Sequence, residues 1–319
     1  MAVYTDVADE TLSVFLREYD IGVLVRKTPI AEGVENTNYC VETDKGQFIL
    51  TLFEKRTREE DLPFFMAFTA YLASKNLPVA APVRDKKGET IKRLSGRPAV
   101  IVRFLNGRPH MAPLGNDCKE LGKVLAKLHN HAGGFKQRRT NPLSLNGWRD
   151  LADACRSDAD RRLPGLAAAI DNESKFLAAR WPSNLPEGII HSDLFPDNVL
   201  FAGLEISGVI DFYFSCTDFF AYDLAVCINA WCFDQEGQFK PDNAKELMAN
   251  YMAQRPLSDA ERAALPVLLR GAALRFLLTR LFDWLNQIEG ALVSVKDPLD
   301  YYRILSHHQN QSTLSVYGL

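Results

Sequence analysis

The sequence lacks the features that mark several common classes of protein. Its six cysteines are scattered, with no C-x-x-C pair or close series to indicate a zinc site or a disulfide framework. Lysine and arginine total 37 against 40 for aspartate and glutamate, so the formal net charge is −3 and no basic field favours nucleic acid. The motifs G-x-x-x-x-G-K-[ST], G-x-G-x-x-G, H-E-x-x-H and G-x-S-x-G are absent, so P-loop, Rossmann, zincin and serine hydrolase interpretations lack their starting residues.

Long uninterrupted hydrophobic runs are missing as well. The stretch Ala264–Leu285 approaches membrane-spanning length, but Arg270, Arg275 and Arg280 interrupt it and would be costly at the centre of a bilayer. The first residues, MAVYTDVADETL, are acidic where a signal peptide would be basic and then apolar. We therefore expect a cytoplasmic protein with reduced cysteines and no membrane partner. Its oligomeric state stays open.

The composition that is present predicts a folded protein with two lobes. Its 319 residues are 47% hydrophobic, enough to bury one large core or two smaller ones. Residues 1–105 predict a small α+β lobe of antiparallel strands with one inserted helix. The strands are expected at Val23–Ile30, Thr37–Thr43, Gln47–Phe53, Glu89–Leu94 and Ala99–Leu105, and the helix at Arg58–Lys75.

Residues 106–319 predict a larger, mainly helical lobe. Ser258 and Glu261 form a capping box for its longest helix, which Pro266 is expected to kink or restart. The helices are expected at Asp117–His131, Trp148–Ala154, Gly165–Arg180, Phe219–Phe233, Ala244–Ala253, Asp259–Ile288 and Pro298–His308.

One segment inside the helical lobe, residues 188–211, alternates short apolar strands with polar loops. It carries Asp193, Asn198 and Asp211, a set that suits phosphoryl transfer. One carboxylate would accept a hydroxyl proton, while hard oxygen ligands would hold Mg²⁺ against nucleotide phosphates. Each residue alone could equally be a turn former. The ordered set predicts a Mg²⁺-dependent kinase that acts on a hydroxyl, with Asp193 as the base.

Two motifs in this region carry a family resemblance. His191–Asn198 (HSDLFPDN) resembles the H-x-D-x-x-x-x-N catalytic loop of kinases, and Asp211–Tyr213 (DFY) resembles their metal-binding D-F-G. With the proline before D-N and the Y-D-L-A stretch Tyr222–Ala225, the chain is similar over nearly its whole length to the aminoglycoside phosphotransferase and choline kinase superfamily. The resemblance implies a bilobal, protein-kinase-like α+β fold that binds ATP between its lobes, with Mg²⁺ on Asn198 and Asp211.

Four further stretches resemble the phosphotransferase-type homoserine kinases, a family within that superfamily. They are Ile49–Lys55, Asp61–Val83, Asp211–Phe233 and Arg270–Leu281. This resemblance implies phosphorylation of the side-chain hydroxyl of L-homoserine on the route to threonine. Choline, ethanolamine, methylthioribose, thiamine and aminoglycosides stay open as acceptors, and so does a pseudokinase that binds nucleotide and signals through partners.

The nucleotide-binding residues follow from the same resemblance. The lid between the first two strands would contain Gly33, Asn36 and Asn38, although a single glycine is a weak signal for phosphate binding. The hinge that presents backbone groups to adenine would be formed by Arg103, Phe104 and Leu105.

The sequence departs from the kinase pattern at two positions. Kinases pair a lysine on the third strand with a helix glutamate to hold the α- and β-phosphates. Here Thr51 stands at the lysine position and Phe65 at the glutamate position. Lys55 or Arg56, just beyond the strand, is the expected substitute cation.

The acceptor pocket is the least determined part of the site. An amino acid substrate needs a cation for its carboxylate, for which Arg275 is the first candidate and Arg280 the second. Asp218 and Asp223 are candidates for the ammonium group, although the resemblance implies a structural role for Asp223 in the Y-D-L-A stretch. Tyr213 and Trp231 are candidates for walls of the pocket. The alternatives are structural salt bridges for the arginines and plain core packing for the aromatic residues.

Overall fold

The computed structural model describes residues 5–30, 36–54, 57–287, 296–311 and 313–318. They divide into two compact units. The first combines Met1–Gly107 with Ser207–Tyr213, and the second combines Arg108–Ile206 with Phe214–Leu319. The expected α+β class is confirmed, with an antiparallel sheet in the first unit and mainly helices in the second.

The first unit is built on a five-stranded antiparallel sheet with the strand order β1-β2-β3-β5-β4. Along β2 buried side chains alternate with half-buried ones, as expected for a strand that packs one face on a core. Its elements are α1 (Asp9–Leu16), β1 (Leu24–Ile30), β2 (Thr37–Thr43), β3 (Gly46–Leu52), α2 (Leu62–Ser74), β4 (Ile91–Leu94) and β5 (Arg97–Arg103).

All five predicted strands and the predicted helix are present, with ends shifted by a few residues. The helix α1 was not predicted. Its eight residues place Leu12, Phe15 and Leu16 in the core of the sheet, which includes Tyr39 and Leu50. An amphipathic pattern this short carries little signal in the sequence.

The segment Ser207–Tyr213 lies far along the chain but packs in the first unit. The Val209 amide donates to the carbonyl of Pro78 at 2.7 Å, and Val79 and Val209 form a parallel bridge. The ring of Phe212 lies 6.0 Å from that of Phe68. The predicted division of the chain at residue 105 therefore does not coincide with the compact units of the structure. The hydrogen bond and the aromatic contact attach residues 207–213 to the smaller unit.

The second unit is mainly helical, and all seven predicted helices are found among its described residues. Ser258 and Glu261 form the predicted capping box, with the Glu261 amide donating to Ser258 Oγ at 3.2 Å. Pro266 does not restart the long helix, which continues through it. The helices are α3 (Gly115–Ala132), α4 (Leu145–Cys155), α5 (Leu166–Arg180), α6 (Phe220–Trp231), α7 (Pro241–Met252), α8 (Asp259–Leu285) and α9 (Pro298–Gln309).

Short strands interrupt the helices where the predicted catalytic motifs lie. An antiparallel pair is formed by β7 (Glu187–Ile190) and β10 (Cys216–Phe219), and a three-stranded sheet by β6 (Arg108–Pro109), β8 (Val199–Ala202) and β9 (Glu205–Val209). Within the described ranges, no helix has both the length and the hydropathy needed to span a bilayer.

A close contact between α3 and α7 requires glycine at position 122. A Cβ there would collide with the carbonyl of Leu247 and lie 3.0 Å from the backbone nitrogen of Tyr251. We expect Gly122→Ala to lower the free energy of unfolding by about 1–3 kcal/mol through overpacking, although alanine has the higher helix propensity. Urea denaturation measures the change.

Gly133→Ala is the matched control. Gly133 ends α3 with φ −59°, and a Cβ there would meet nothing within 4 Å. Its free energy of unfolding should stay near the wild-type value, and a G122A protein as stable as G133A would contradict the packing argument.

Candidate active site

The loop that follows β7 holds the predicted base and one predicted metal ligand close together. The Asn198 Nδ2 donates to the Asp193 carbonyl at 2.8 Å and lies 3.5 Å from Asp193 Oδ2. The Asp193 amide in turn donates to His191 Nδ1 at 3.2 Å. Both Asp193 and Asn198 are half-buried, so their positions are set by the loop while part of each side chain faces solvent.

The orientation of Asn198 fits a role as a Mg²⁺ ligand. Because its amide nitrogen is used by the Asp193 carbonyl, its amide oxygen is turned away from that bond. Mg²⁺ prefers hard oxygen donors and is usually held by one or two protein side chains together with substrate phosphates. Among the described residues, no group of three or more His, Cys, Asp or Glu side chains lies around a possible metal position.

A buried carboxylate fixes the start of this loop. Asp223, at the beginning of α6, is fully buried and accepts the amides of His191 at 2.9 Å and Ser192 at 2.7 Å. Burial by itself raises the pKa of Asp223, but the hydrogen bonds from His129 and from the Ser192 amide lower it, and the net direction is down. Asp223 is therefore a structural anion rather than a ligand for an ammonium group.

His129 was not predicted to take part in this site. It lies on α3 and is 94 residues from Asp223 in the chain, yet its Nε2 is 3.1 Å from Asp223 Oδ2. Its Nδ1 is 2.7 Å from the Tyr251 hydroxyl oxygen, and that oxygen accepts a hydrogen bond from Arg255 at 3.2 Å. In the sequence His129 stands near the end of the predicted helix Asp117–His131, and no local spacing signals a partner so distant.

Arg275 lies behind the catalytic loop rather than in a polar cleft. Its side chain is 1% exposed, and Nη1 donates to both the carbonyl and the Oγ of Ser192, the latter at 2.7 Å. Burial lowers the pKa of Arg275, but Tyr222, Asp193 and Cys216 raise it, and the net direction is up. The guanidinium that was expected to hold a substrate carboxylate is thus used within the protein.

The other predicted acceptor residues of the second unit also have partners within it. Arg280 donates to the Asp297 carbonyl and to Asp300 Oδ2, each at 3.2 Å, which is the structural alternative for this residue. Trp231 is fully buried, and its Nε1 donates to the Leu194 carbonyl at 2.8 Å. It therefore stabilises the loop that carries Asp193 and does not line a pocket.

Asp218 keeps an oriented carboxylate in β10. Asn141 Nδ2 donates to its Oδ2 at 2.7 Å, and the Phe219 amide donates to its Oδ1 at 2.8 Å. Burial raises the pKa of Asp218 more than these two donors lower it. A cation next to this carboxylate would therefore favour its charged form.

In the first unit, the D-F-Y motif contacts the two residues that are predicted to stand at the Lys–Glu positions of kinases. Asp211 is exposed and has φ +62°, a conformation that is uncommon for a residue other than glycine. Tyr213 hydrogen-bonds to Thr51, and its ring lies 5.9 Å from that of Phe65. Tyr213 thus contacts both residues of the predicted pair of positions.

The described lid residues point into the first unit. Asn36 is 7% exposed and accepts the Glu54 amide at 3.4 Å. Asn38 accepts from Thr51 Oγ1 at 2.8 Å. Gly33, Lys55 and Arg56 lie outside the described residues.

At the predicted hinge, two of the three amides are used by the fold. The Arg103 amide donates to the Ala81 carbonyl at 2.9 Å, and the Phe104 amide donates to the Gln47 carbonyl at 3.4 Å. Leu105 is the third residue of the predicted hinge. The Arg103 and Phe104 side chains are exposed.

The burial of His129 predicts a measurable pH dependence of stability. Burial lowers the pKa of His129 below its ordinary value of 6.5, although Asp223 raises it. Below pH 6.5 the unfolded chain binds a proton that the folded protein excludes, so the contribution of this histidine is complete above pH 6.5 and is lost as the pH falls. The free energy of unfolding should fall by at most about 1.4 kcal/mol per pH unit from this group alone. His129→Gln should flatten the slope between pH 7.0 and 5.5 in urea denaturation.

His131→Gln, on the same helix, is the control. Other buried histidines, such as His308 with a pKa lowered to about 3, are present in both variants and cancel in the comparison. H131Q should keep the wild-type slope, and parallel curves for H129Q and wild type would show that His129 does not titrate as described.

Comparison with known proteins identifies the family. The profile of the phosphotransferase enzyme family matches residues 27–257. The homoserine kinase of Xanthobacter autotrophicus is 52% identical over 319 residues, covering 100% of this chain and 99% of the relative. The homoserine kinase of Rhodospirillum rubrum shows the same identity and coverage.

Solved structures share the fold at low sequence identity. An amicoumacin kinase solved with AMP-PNP and Ca²⁺ has a TM-score of 0.69 at 15% identity, covering 97% of this chain and 92% of its own. Choline kinase from Cryptosporidium parvum has a TM-score of 0.64 at 16% identity, covering 89% and 88%. The resemblance drawn from the catalytic motifs is confirmed, and the chain belongs to the phosphotransferase enzyme family.

Proposed function

We propose that this protein transfers the γ-phosphoryl group of ATP to the side-chain hydroxyl of L-homoserine, forming O-phospho-L-homoserine for threonine biosynthesis. The observation that carries the proposal is the 52% identity to homoserine kinases along the whole chain. The motifs around Asp193 and Asp211 supply the matching chemistry. Because ATP and amino acid precursors are drawn from the cytoplasm, that is the proposed location.

Asp193 is the proposed base. Its backbone is fixed by His191 and Asn198, so its carboxylate can orient the acceptor hydroxyl and take its proton. The hydroxyl oxygen then forms a bond to the γ-phosphorus, opposite the β,γ-bridging oxygen. The bond between the γ-phosphorus and the bridging oxygen breaks, and this oxygen leaves as part of ADP. The proton ends on Asp193 and passes to solvent after product release.

Asn198 and Asp211 are the proposed Mg²⁺ ligands. The amide oxygen of Asn198 is oriented by the bond from its Nδ2 to the Asp193 carbonyl, and Asp211 offers an exposed carboxylate. When bound, the metal ion neutralises charge on the transferred phosphate and fixes the phosphate chain.

The remaining assignments divide between the two lobes. Residues 1–105 would cover the nucleotide, through the lid with Gly33, Asn36 and Asn38 and the hinge at 103–105, while residues 106–319 carry the catalytic loop. Asp218 is the proposed contact for the substrate ammonium, since its carboxylate is already oriented by Asn141. The small acceptor needs no nucleic acid or membrane partner.

An acceptor panel tests the substrate. Purified protein with MgATP should release ADP rapidly with L-homoserine and at background rates with choline, ethanolamine, L-serine, methylthioribose or kanamycin. Faster turnover of another acceptor would keep the phosphotransferase chemistry and overturn the substrate. MgATP binding without turnover of any acceptor would favour the pseudokinase.

Asp193→Asn tests the base. Removing a general base typically lowers the rate 10²–10⁴-fold, so kcat for L-homoserine should fall within that range while ATP binding, measured by calorimetry, is retained. Asp197→Asn is the matched control in the same loop, because Asp197 is paired with Lys296 at 3.0 Å instead. Near-normal kcat in D193N, or equal losses in both variants, would contradict the assignment.

The substitute for the missing lysine is a separate prediction. We expect Lys55→Gln or Arg56→Gln to raise the KM for ATP, because either cation would replace the one absent at Thr51 in holding the phosphates. Lys45→Gln, in the exposed turn between β2 and β3, should leave that KM unchanged. If both K55Q and R56Q keep the wild-type KM, neither residue holds the nucleotide.

A further inference from the structure

The residue before the proposed base has an unfavourable backbone conformation. Ser192 has φ +72°, in the left-handed region where the Cβ of an L-residue crowds the backbone. It is also 1% exposed, so no solvent contact compensates for this conformation. The conformation therefore depends on the groups bonded to Ser192.

Those groups hold Ser192 from two sides with opposite charges. The Asp223 carboxylate accepts the Ser192 amide at 2.7 Å. On the other side, Arg275 Nη1 donates to the Ser192 carbonyl and at 2.7 Å to its Oγ. One guanidinium nitrogen thus binds both acceptors of the residue.

Arg275 is itself held rigidly. It is buried on α8, and its guanidinium carbon lies 4.5 Å from the ring centre of Phe276 and 5.9 Å from that of Phe214. A guanidinium keeps its charge and its planar set of donors when buried, whereas a lysine ammonium has no such fixed geometry.

We propose that Arg275 is a positioning residue that holds Ser192 in the left-handed conformation and thereby aims the carboxylate of Asp193. Relaxation of Ser192 to negative φ would rotate the peptide that joins it to Asp193. It would also shift the Asp193 carbonyl on which Asn198 is oriented. This inference rests on the proposed function, since it takes Asp193 as the base.

The proposal makes a different kinetic prediction from a substrate clamp. A residue that binds the substrate carboxylate affects the KM for the acceptor when it is altered. A residue that aims the base affects kcat with both KM values unchanged, and a misplacement of 1 Å can cost roughly 10²-fold.

The test is a series of variants assayed with L-homoserine and MgATP. Arg275→Lys should lower kcat by about 10–100-fold, with the KM for each substrate within about threefold of wild type. Ser192→Ala should have a smaller effect, because it keeps the carbonyl acceptor. Adding Ser192→Gly to R275K should restore part of kcat, since glycine adopts positive φ without the steric conflict.

Arg270→Lys is the matched control. Arg270 is on the same helix and forms two hydrogen bonds with Glu173, at 2.7 and 2.6 Å, away from the loop. It should lower the melting temperature while kcat stays near wild type. The proposal is overturned if R275K raises the KM for L-homoserine with kcat unchanged, or if R270K and R275K lose kcat equally.

A crystal structure of R275K gives a readout that does not depend on the acceptor. The proposal expects the Ser192 backbone to leave the left-handed region, and an unchanged positive φ would overturn it. Failure of the proposed function is recognised separately, by a near-normal kcat in D193N or by a wild-type protein that does not phosphorylate L-homoserine.

Discussion

The loop that carries Asp193 depends on one buried carboxylate. Asp223 receives hydrogen bonds from two successive backbone amides of the loop and from His129. An unpaired buried carboxylate would be very costly, so the anion is stable only while these donors stay in place. Any movement of the loop away from α6 would leave Asp223 without two of its partners. The cost of burying the charge thus becomes a restraint on the loop.

The restraint extends outward through neutral and charged groups. Neutral His129 donates from Nε2 to Asp223 and accepts at Nδ1 from Tyr251, whose oxygen accepts from Arg255. Each group in this series of hydrogen bonds therefore donates to the next, from the Arg255 cation to the Asp223 anion. Buried polar networks of this kind favour a single arrangement because a partly satisfied one is costly.

Contacts between uncharged groups attach the D-F-Y segment to the first unit. Thr51 and Phe65, which are predicted to stand where kinases place a lysine and a glutamate, are buried and both contact Tyr213. A hydrogen bond and an aromatic contact thus keep the segment Ser207–Tyr213 attached to β3 and α2. Neither contact buries a charge, so the attachment carries no desolvation cost of an ion pair.

The sequence by itself predicted most of the secondary structure, though not α1, and indicated the chemistry of the motifs around Asp193 and Asp211. The periodicity of hydrophobic residues and the positions of turn residues predicted the strands of the sheet and the seven helices of the second unit. The order of Asp193, Asn198 and Asp211 predicted phosphoryl transfer. Only the tertiary structure decided that His129 supports Asp223, that Arg275 is bonded to Ser192, and that residues 207–213 pack with the first unit. The reason is physical: a local pattern shows that a side chain is buried, but the group that satisfies it comes from a segment tens of residues away. Which arginine points to which acceptor depends on helix packing, which leaves no local signal in the sequence.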